Sequence, residues 1–529
     1  MNSGNRIQNI GKSMFQLLFV SSSSACFELA NKNCYYAPSV YTIYLNGAKV
    51  RTGDTNVFSL FGLKSDTEYN VSIEMDDVRE TMIFRTLSER FAINVRDFGA
   101  KGDGVHDDTK AIRAALDFLP EGGRLYFPEG TYLTFPQAIR SHMTIEFAEG
   151  AVLKGSPERA RYQIVPGEVH DVEGGAEIIL GAFEGEIREM YQALLSAAYA
   201  EDITIIGPGT VDGNAGAGDF WTKFNEFKTA RPRLFFFSHC KDIRIHGIHA
   251  CNSASWQFHP FFSDRVSFYD VFISAPKDSP NTDAIDPESC DNVNIIGCRF
   301  SVGDDCIAIK SGKIDLGMRF KKAADHHTVR NCLMDFGHGA VTLGSEMSAG
   351  IRNLTVEQCY FRGTDRGLRI KTRRGRGKLC DISGVVFDNI RMDGVRTPVV
   401  MNMYYNCCDP DRYTEYVWSR EHLPVDDRTP HLGSFHFYNL NCTDAEVAAC
   451  YIDGLPEMPI DEVCFKDCSI SFREDAKPGV PAMENFAKER CKLGLYLDNV
   501  KKIVIDNVKL EGVEGDEIIA DHHEELIVK

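Results

Sequence analysis

The sequence lacks any run of 18 or more apolar residues, the length that a helix needs to cross a membrane, so no transmembrane helix is predicted. It also lacks a basic excess, because 58 Lys and Arg stand against 76 Asp and Glu, a net charge of −18. A field of this sign repels nucleic acid and anionic membrane surfaces, so neither is expected as a partner. Any anionic ligand must bind at a local basic patch.

Metal-ligand spacing is absent as well. Neither Cys464 with Cys468 nor the adjacent Cys407 and Cys408 have a second pair or histidines at zinc-site distances. The aspartates between residues 97 and 109 lack the spacing of a calcium-binding EF-hand, so turn and capping roles are predicted for them. No metal and no cofactor are therefore expected.

The 17 cysteines are scattered and odd in number, which is more typical of small buried hydrophobic side chains in a reducing cytosol than of a disulfide framework. Residues 14–20 form a short apolar stretch after Lys12, at the lower limit for a signal peptide, and alternating residues continue beyond it. We interpret this stretch as a first strand. A cytoplasmic location is predicted, with secretion as the alternative.

Residues 12–88 show short strand patterns separated by turn signals. Asn46-Gly47 is typical of a two-residue hairpin turn. The segment from Leu63 through a polar turn to Tyr69 resembles the tyrosine corner of fibronectin type III sandwiches. The sequence therefore predicts a small fibronectin type III-like β-sandwich.

From residue 90 to 529 the pattern changes to a repeat. Apolar residues at helical spacing predict one helix after Asp108 or Thr109 as N-cap, and a helix there would cover the open end of a solenoid. Beyond it, phrases such as Asp242-Ile243-Arg244-Ile245 recur every 20–30 residues. This spacing predicts an all-β, right-handed parallel β-helix, since a propeller blade needs about 40–50 residues. Residues 158–200 would be an insertion on one face.

Four short phrases carry the candidate chemistry: Asn281-Thr282-Asp283, Gly303-Asp304-Asp305, Gly337-His338-Gly339 and Arg369-Ile370-Lys371. Asp305 follows Asp283 by 22 residues, close to one coil, and neighbouring coils lie about 4.8 Å apart. The three aspartates should therefore converge, with His259 one coil earlier. Clustered carboxylates raise the pKa of at least one member, which places an acid beside a base, as glycoside hydrolysis requires.

Residues 366–378 contain seven cations and no acid. Arg369 and Lys371 alternate within a strand, so both should point to the face of the aspartates and could neutralise an anionic sugar. A solvated loop is the alternative for such a run. An RNA site is not favoured, because stacking aromatics are missing from this window.

With these four phrases the chain resembles glycoside hydrolase family 28, the polygalacturonases and their relatives, over residues 90–515. The stretches 303–312 and 344–348 are similar to the bacterial branch of the family, and the small N-terminal domain resembles that of bacterial exo-acting polygalacturonases. The resemblance implies a pectic, galacturonate-rich substrate, an inverting mechanism without metal, and acid and base further apart than in a retaining enzyme. It implies Asp304 as the general acid, Asp283 and Asp305 as activators of the water, and His338 as an aid to the acid. The implied substrate-binding residues are Arg369, Lys371, His259, Lys310, Asn281 and Arg374.

Exo action is expected from two features. The insertion at 158–200 could wall off one end of the cleft, and Arg373, Arg374 and Arg376 could grip a terminal sugar of oligomers imported into the cytosol. Alternatives remain at this point: a calcium-dependent pectate lyase, a rhamnogalacturonan or xylogalacturonan hydrolase of the same family, and a non-catalytic carbohydrate-binding solenoid.

Overall fold

The computed structural model describes residues 13–170, 177–226, 228–406 and 414–529. The predicted fold class is confirmed, because strands dominate over helices and a long parallel β-helix follows antiparallel N-terminal sheets. Cys407, Cys408 and residue 12, where the predicted N-terminal domain begins, lie outside the described residues. None of the described helices combines the length and the apolar character needed to span a bilayer.

Two antiparallel sheets precede the β-helix. The first contains Phe15–Val20, Ala25–Leu29 and Val57–Leu60, and the second contains Tyr36–Leu45, Ala48–Thr55, Glu68–Met75 and Val78–Arg85. Phe15, Phe27 and Phe58 belong to the common core. The Tyr69 hydroxyl accepts a hydrogen bond from the Lys64 backbone N–H at 2.8 Å, which is a tyrosine corner. We propose that these sheets form a domain that ends at residue 88.

The β-helix consists of three stacks of parallel strands. The first stack contains Ala92–Asn94, Gly123–Phe127, Met143–Phe147, Glu201–Ile206, Lys241–His246, Asp264–Tyr269, Asp291–Ile296, Ala324–Arg330, Ile351–Glu357, Asp381–Asp393, His431–Leu432, Ser434–Ala445, Ile460–Phe472, Val500–Glu511 and Glu525–Val528. The second contains Asp103–Asp107, Gly130–Thr134, Ala151–Gly155, Thr210–Asp212, His249–Cys251, Phe272–Ser274, Arg299–Ser301, the first halves of Leu333–Gly344 and Tyr360–Lys371, and the second halves of Asp381–Asp393, Ser434–Ala445, Ile460–Phe472 and Val500–Glu511. The third contains Gln137–Ala138, Leu195–Ala198, Phe235–Ser238, Phe258–Phe261, Ile307–Ile309, the second halves of Leu333–Gly344 and Tyr360–Lys371, Thr397–Asn402, Ala448–Asp453, Leu493–Asp498 and Ile518–Asp521.

The repeated phrases have a common backbone cause. A left-handed residue recurs near the start of first-stack strands, at Asp202, Asp242, Asn292 and Asn353, with φ between 50° and 56°. Asp and Asn tolerate this conformation better than other residues with a side chain, because the short polar group bonds locally. The inward residues that follow, such as Ile243, Val266 and Val293, stack in register and form the core.

A helix at Thr109–Phe118 covers the N-terminal end of the coil and buries Ile112, Ala115 and Leu116. Asp108 is the N-cap residue, as predicted, but its side chain does not bond the helix. The Asp108 carboxylate accepts the backbone N–H groups of Lys101 and Gly102 at 2.7 and 2.9 Å and makes no bond to the helix. Its role is to close the preceding loop. Two shorter helices occupy Ile314–Phe320 and Glu415–Trp418.

The predicted insertion interrupts the stacks with short antiparallel ladders. These pair Ile164–Val165 with Met190–Tyr191, Glu168–His170 with Glu177–Ile179, and Ala182–Phe183 with Glu186–Ile187. The last ladder is called the wall hairpin below.

Candidate active site

The register of the third stack brings the four phrases together. Ile285 bridges to both Phe258 and Ile307, and Ile307 pairs with Val341. Asp283 therefore lies beside Asp305 on adjacent coils, and one oxygen of each of Asp283, Asp304 and Asp305 lies within 4.8 Å of the others. This convergence follows from a coil of 22 residues between Ile285 and Ile307.

Glycines stand on both sides of His338, at 337 and 339, because a side chain at either position would collide with neighbouring atoms of the site. A Cβ at Gly339 would lie 2.2 Å from Thr342 Oγ1 and 2.8 Å from Asp305 Oδ1. A Cβ at Gly337 would lie 2.8 Å from Cys306 Sγ and 2.9 Å from the Asp304 carbonyl oxygen. The Gly-His-Gly phrase thus leaves room for the aspartates while it supplies an imidazole.

Asp305 is completely buried and held by two cations. Lys371 Nζ lies 2.9 Å from Oδ2, and Arg369 Nη1 lies 3.3 Å from Oδ1. Burial alone would raise the pKa of this carboxyl, but Lys371 and then Arg369 outweigh it and hold the pKa well below its usual range. Asp305 is therefore ionised throughout the working pH range.

Asp283 has the opposite electrostatic setting. Burial raises its pKa well above the usual value, and the charges of Asp304 and Asp286 raise it further, whereas Lys310 opposes them. A carboxyl that keeps its proton more readily therefore stands beside the firmly ionised Asp305. Separation of neighbouring carboxyl pKa values is the arrangement that acid–base catalysis needs.

Asp304 is the most accessible of the three aspartates, with a side chain 21% exposed. Its Oδ1 accepts the backbone N–H of Asp305 at 3.0 Å and lies 3.2 Å from His338 Nδ1. The hydrogen bond to Asp304 raises the pKa of His338 above its ordinary value of 6.5. A half-exposed imidazole with a raised pKa thus stands in contact with the carboxyl that a ligand can reach.

His259 does not contact the site surface, contrary to the prediction. Its side chain is fully buried, Nε2 lies 3.0 Å from Glu288 Oε2, and burial lowers its pKa well below the usual value. The prediction fails because 27 residues, not 24, separate Phe258 from its stacked partner Ile285. His259 therefore stacks opposite Asp286 rather than Asp283.

Lys310 and Arg374 are also too deep to touch a substrate directly. Lys310 is 3% exposed and lies beneath the aspartates, 3.3 Å from Asp286 Oδ1 and 3.4 Å from Glu346 Oε2. Arg374 is 1% exposed and forks onto Glu457, with Nη2–Oε2 at 2.9 Å. Arg373 and Arg376 are buried as well, so the predicted grip of this segment on a terminal sugar is wrong.

Asn281 lies at a pocket of about 280 Å³ that the sequence did not indicate. Its Oδ1 accepts Arg231 Nη2 at 2.6 Å, and Arg231 is 5% exposed with its guanidinium 5.4 Å from the Phe224 ring. Phe183 and Arg188 of the insertion line the same space. Asn281 and the insertion lie close together only because of how the insertion folds back, and no short sequence pattern predicts that.

The wall hairpin is anchored directly against the catalytic coils. Arg233 Nη2 donates to the Ala182 carbonyl at 3.2 Å, and its guanidinium lies over the Phe183 and Trp256 rings. At the hairpin turn, Gly185 accepts the Lys313 backbone N–H at 3.0 Å and packs against Glu346. The insertion therefore packs against the coils that carry Arg233, Trp256 and Glu346.

Asp283, Asp304 and Asp305 are also the group in the described ranges whose geometry suits a metal ion. Lys371 and Arg369 already balance the charge of Asp305, which weakens the attraction for a further cation. Independence from metal stays a prediction, and activity in a chelator tests it.

Comparisons with known proteins agree with this chemistry. The model of "Glycosyl hydrolases family 28" matches residues 176–420, and that of "Rhamnogalacturonase A/epimerase, pectate lyase-like" matches 92–162. "Probable polygalacturonase" of Vitis vinifera is 28% identical over 77% of this chain and 81% of its own. An exopolygalacturonase of Thermotoga maritima is 25% identical with a TM-score of 0.64, covering 81% of this chain and 94% of its own. The family 28 exopolygalacturonase of Yersinia enterocolitica shares the fold, with a TM-score of 0.73 at 18% identity, over 97% and 98% of the two chains.

The cytoplasmic prediction is contradicted, because the relatives are plant cell-wall and bacterial secreted polygalacturonases, which points to an extracellular location. The cysteine argument fails for a structural reason. All cysteines in the described ranges are free, and twelve of these fifteen are buried. Buried thiols are shielded from oxidants in any compartment, so the number of cysteines does not indicate where the protein is located.

Proposed function

The chain belongs to glycosyl hydrolases family 28, the polygalacturonase-type glycoside hydrolases, and on this premise we propose that it hydrolyses α-1,4-galacturonosidic bonds of pectic chains. The family predicted from the four phrases is confirmed. The observation that carries the proposal is the convergence of Asp283, Asp304 and Asp305 beside the cations Arg369 and Lys371.

In the proposed mechanism, Asp304 donates a proton to the glycosidic oxygen as the bond to the anomeric carbon breaks. It suits this role because it is the accessible aspartate. A water bonded to Asp283 and Asp305 attacks the anomeric carbon and gives its proton to Asp305, the member of the pair that is held ionised. His338, bonded to Asp304, then restores the proton of the acid. The proton taken up from the attacking water is then lost to solvent, which restores the protonation of the site.

The carboxylates lie closer together than was expected for inversion. Their nearest oxygens are within 4.8 Å, whereas inverting acid and base groups are commonly about 6.5–9.5 Å apart. The difference arises because the site has three carboxyl groups, two of which share the water, instead of one acid and one base. Two oxygens at this spacing can both bond one water at ordinary hydrogen-bond lengths of about 2.5–3 Å. Asp283 and Asp305 thus fit a shared water, with no carboxylate left over as a nucleophile.

We therefore expect inversion of the anomeric configuration. Proton NMR of the first product, recorded before mutarotation, should show the β-anomer, because the water attacks from the face opposite the leaving group. An α-anomer in the earliest spectra would mean a covalent intermediate and would overturn the shared-water scheme.

We further propose exo action from a chain end. The wall hairpin closes one side of the site next to Trp256 and Glu346, and the pocket beside Asn281 offers Arg188 to a sugar carboxylate, with the buried Arg231 adding positive charge behind Asn281. Phe183 and Phe224 offer apolar faces to the pyranose ring. The pocket also contains Glu184, so the two arginines outnumber one acid. Its volume of about 280 Å³ suits a terminal unit rather than a continuing chain.

Viscometry on polygalacturonate tests this proposal. An exo enzyme releases reducing ends with little early loss of viscosity, because the polymer shortens only from its end. Replacement of residues 183–186 by two glycines should open the cleft and increase the viscosity loss per reducing end several-fold. A rapid viscosity collapse with the unaltered protein would mean endo cleavage. An unchanged ratio in the shortened variant would show that the hairpin is not the barrier.

Substituted pectins are the competing substrates, and the matched model over residues 92–162 carries a rhamnogalacturonase name. Chromatography of products from homogalacturonan, rhamnogalacturonan and xylogalacturonan oligomers separates them. The same products separate hydrolysis from a lyase reaction, which leaves an unsaturated uronate.

A further inference from the structure

A short segment near the C-terminus, residues 478–486, folds back over the third stack and is called the arm below. It belongs to the connection between the strands Ile460–Phe472 and Leu493–Asp498. Gly479 and Arg490 close the base of this connection through two backbone hydrogen bonds of 3.0 and 2.8 Å. The arm is thus an excursion from one coil that returns to the next strand.

The arm covers the coil that directly follows the cations of the site. Val400 and Asn402 alternate with core residues, so they point outward, and they pair with the two cations on the preceding coil. On a bare coil these outward side chains would be exposed, yet each is only 2% exposed. Ala482 packs against Val400, and Asn402 Nδ2 donates to the Met483 carbonyl oxygen at 3.0 Å. The outward face of the third stack is therefore covered from this coil onward.

Side chains of the β-helix hold the arm in place. Arg366 Nη2 donates to the Val480 carbonyl oxygen at 2.7 Å. The Tyr451 hydroxyl donates to Glu484 Oε1 at 3.0 Å, and Arg420 Nη2 lies 3.1 Å from Oε2 of the same buried carboxylate. Contacts with several coils make the arm a fixed part of the surface instead of a lid.

Met483 carries the arm to the edge of the site. Its side chain is 46% exposed, and Arg369 Nη2 donates to its Sδ at 3.0 Å. Three coil steps of about 4.8 Å separate the coil of Asp283 from that of Arg369, which gives a face of about 14 Å along the axis. This face begins at the pocket beside Asn281 and ends at Met483.

We propose that the arm determines the length of the substrate, so that short oligogalacturonates are preferred over polymer. The inference rests on the proposed hydrolysis and extends it, because exo action by itself requires a barrier only at the terminal pocket. With its end in that pocket, a longer chain must turn away from the coil at Met483. The units beyond this point make no contact with the coil face, and bending the chain costs conformational freedom.

The test compares kcat/KM, per mole of chain ends, for trigalacturonate, hexagalacturonate and polygalacturonate. In the unaltered protein the value should fall several-fold from trigalacturonate to hexagalacturonate and further for the polymer. Met483→Ala removes the side chain at the edge of the face and should reduce this difference. Replacement of residues 481–486 by two glycines should abolish it. Because any disturbance of Arg369 affects all three substrates alike, the ratio between them isolates the effect of chain length.

Met318→Ala is the matched control, since Met318 is 37% exposed on the helix Ile314–Phe320 and should leave the ratio unchanged. If the arm serves only to cover Val400 and Ala448, its removal should lower the unfolding midpoint without changing the ratio. That result would overturn the inference, as would equal or rising efficiency with chain length in the unaltered protein. If the shortened variant does not fold, as judged by circular dichroism, Met483→Ala carries the test alone. Absence of reducing ends from all three substrates would instead mean that the proposed hydrolysis fails.

Discussion

Asp304→Asn is expected to lower kcat on oligogalacturonate by on the order of a thousandfold or more, with the fold unchanged. An amide cannot deliver the leaving-group proton. It can still accept the Asp305 backbone N–H at the Oδ1 position, where the carboxylate accepts it at 3.0 Å, so the local turn should persist. Reducing-end release at saturating substrate measures the effect, and the unfolding midpoint checks the fold.

Asp278→Asn is the matched control, since Asp278 is exposed in the loop just before Asn281 and makes the same change of charge. It should keep nearly full activity. If Asp304→Asn retains more than roughly a tenth of kcat, Asp304 is not the acid. The buried Asp283, with its raised pKa, would then be the next candidate for the proton donor.

The coil and the cluster of aspartates could be predicted because both depend on short-range sequence. A left-handed Asp or Asn near the start of each first-stack strand produces the repeated phrases, and a coil of 22 residues brings Asp305 beside Asp283. The same argument failed for His259 because the previous coil has five additional residues. Coil length varies with turn insertions, so a mean period places a residue only to within a few positions.

The environments of the cations could not be predicted from the sequence. Arg374 and Lys371 lie in one basic run, yet Arg374 is buried against Glu457, 83 residues later, whereas Lys371 reaches Asp305. Strand alternation indicates the direction of a side chain but not the acid that lies there. The network of Lys310, Asp286 and Glu346 was missed for the same reason, because its members come from three different coils.

Lys371→Met is expected to reduce kcat/KM by about a hundredfold at acidic pH and much less at neutral pH. Lys371 is the cation that lowers the pKa of Asp305 most, so its removal raises that pKa. A carboxylate acts as a base only while it is ionised, so its contribution to catalysis is lost as the pH falls through its pKa. The acid limb of the profile should therefore move to higher pH, with kcat affected as well as KM.

The split between kcat and KM decides between two roles of Lys371. The resemblance implies contact with the galacturonate carboxylate, whereas its Nζ is already 2.9 Å from Asp305 and its side chain is 12% exposed. If it serves the substrate alone, KM should rise equally at every pH and neutral analogues should be unaffected. If it serves Asp305, the loss should grow as pH falls and should extend to neutral analogues. Lys378→Met, from the exposed end of the same basic run, should show neither change. A Lys371→Met profile parallel to that of the unaltered protein would remove the ion pair with Asp305 from the mechanism.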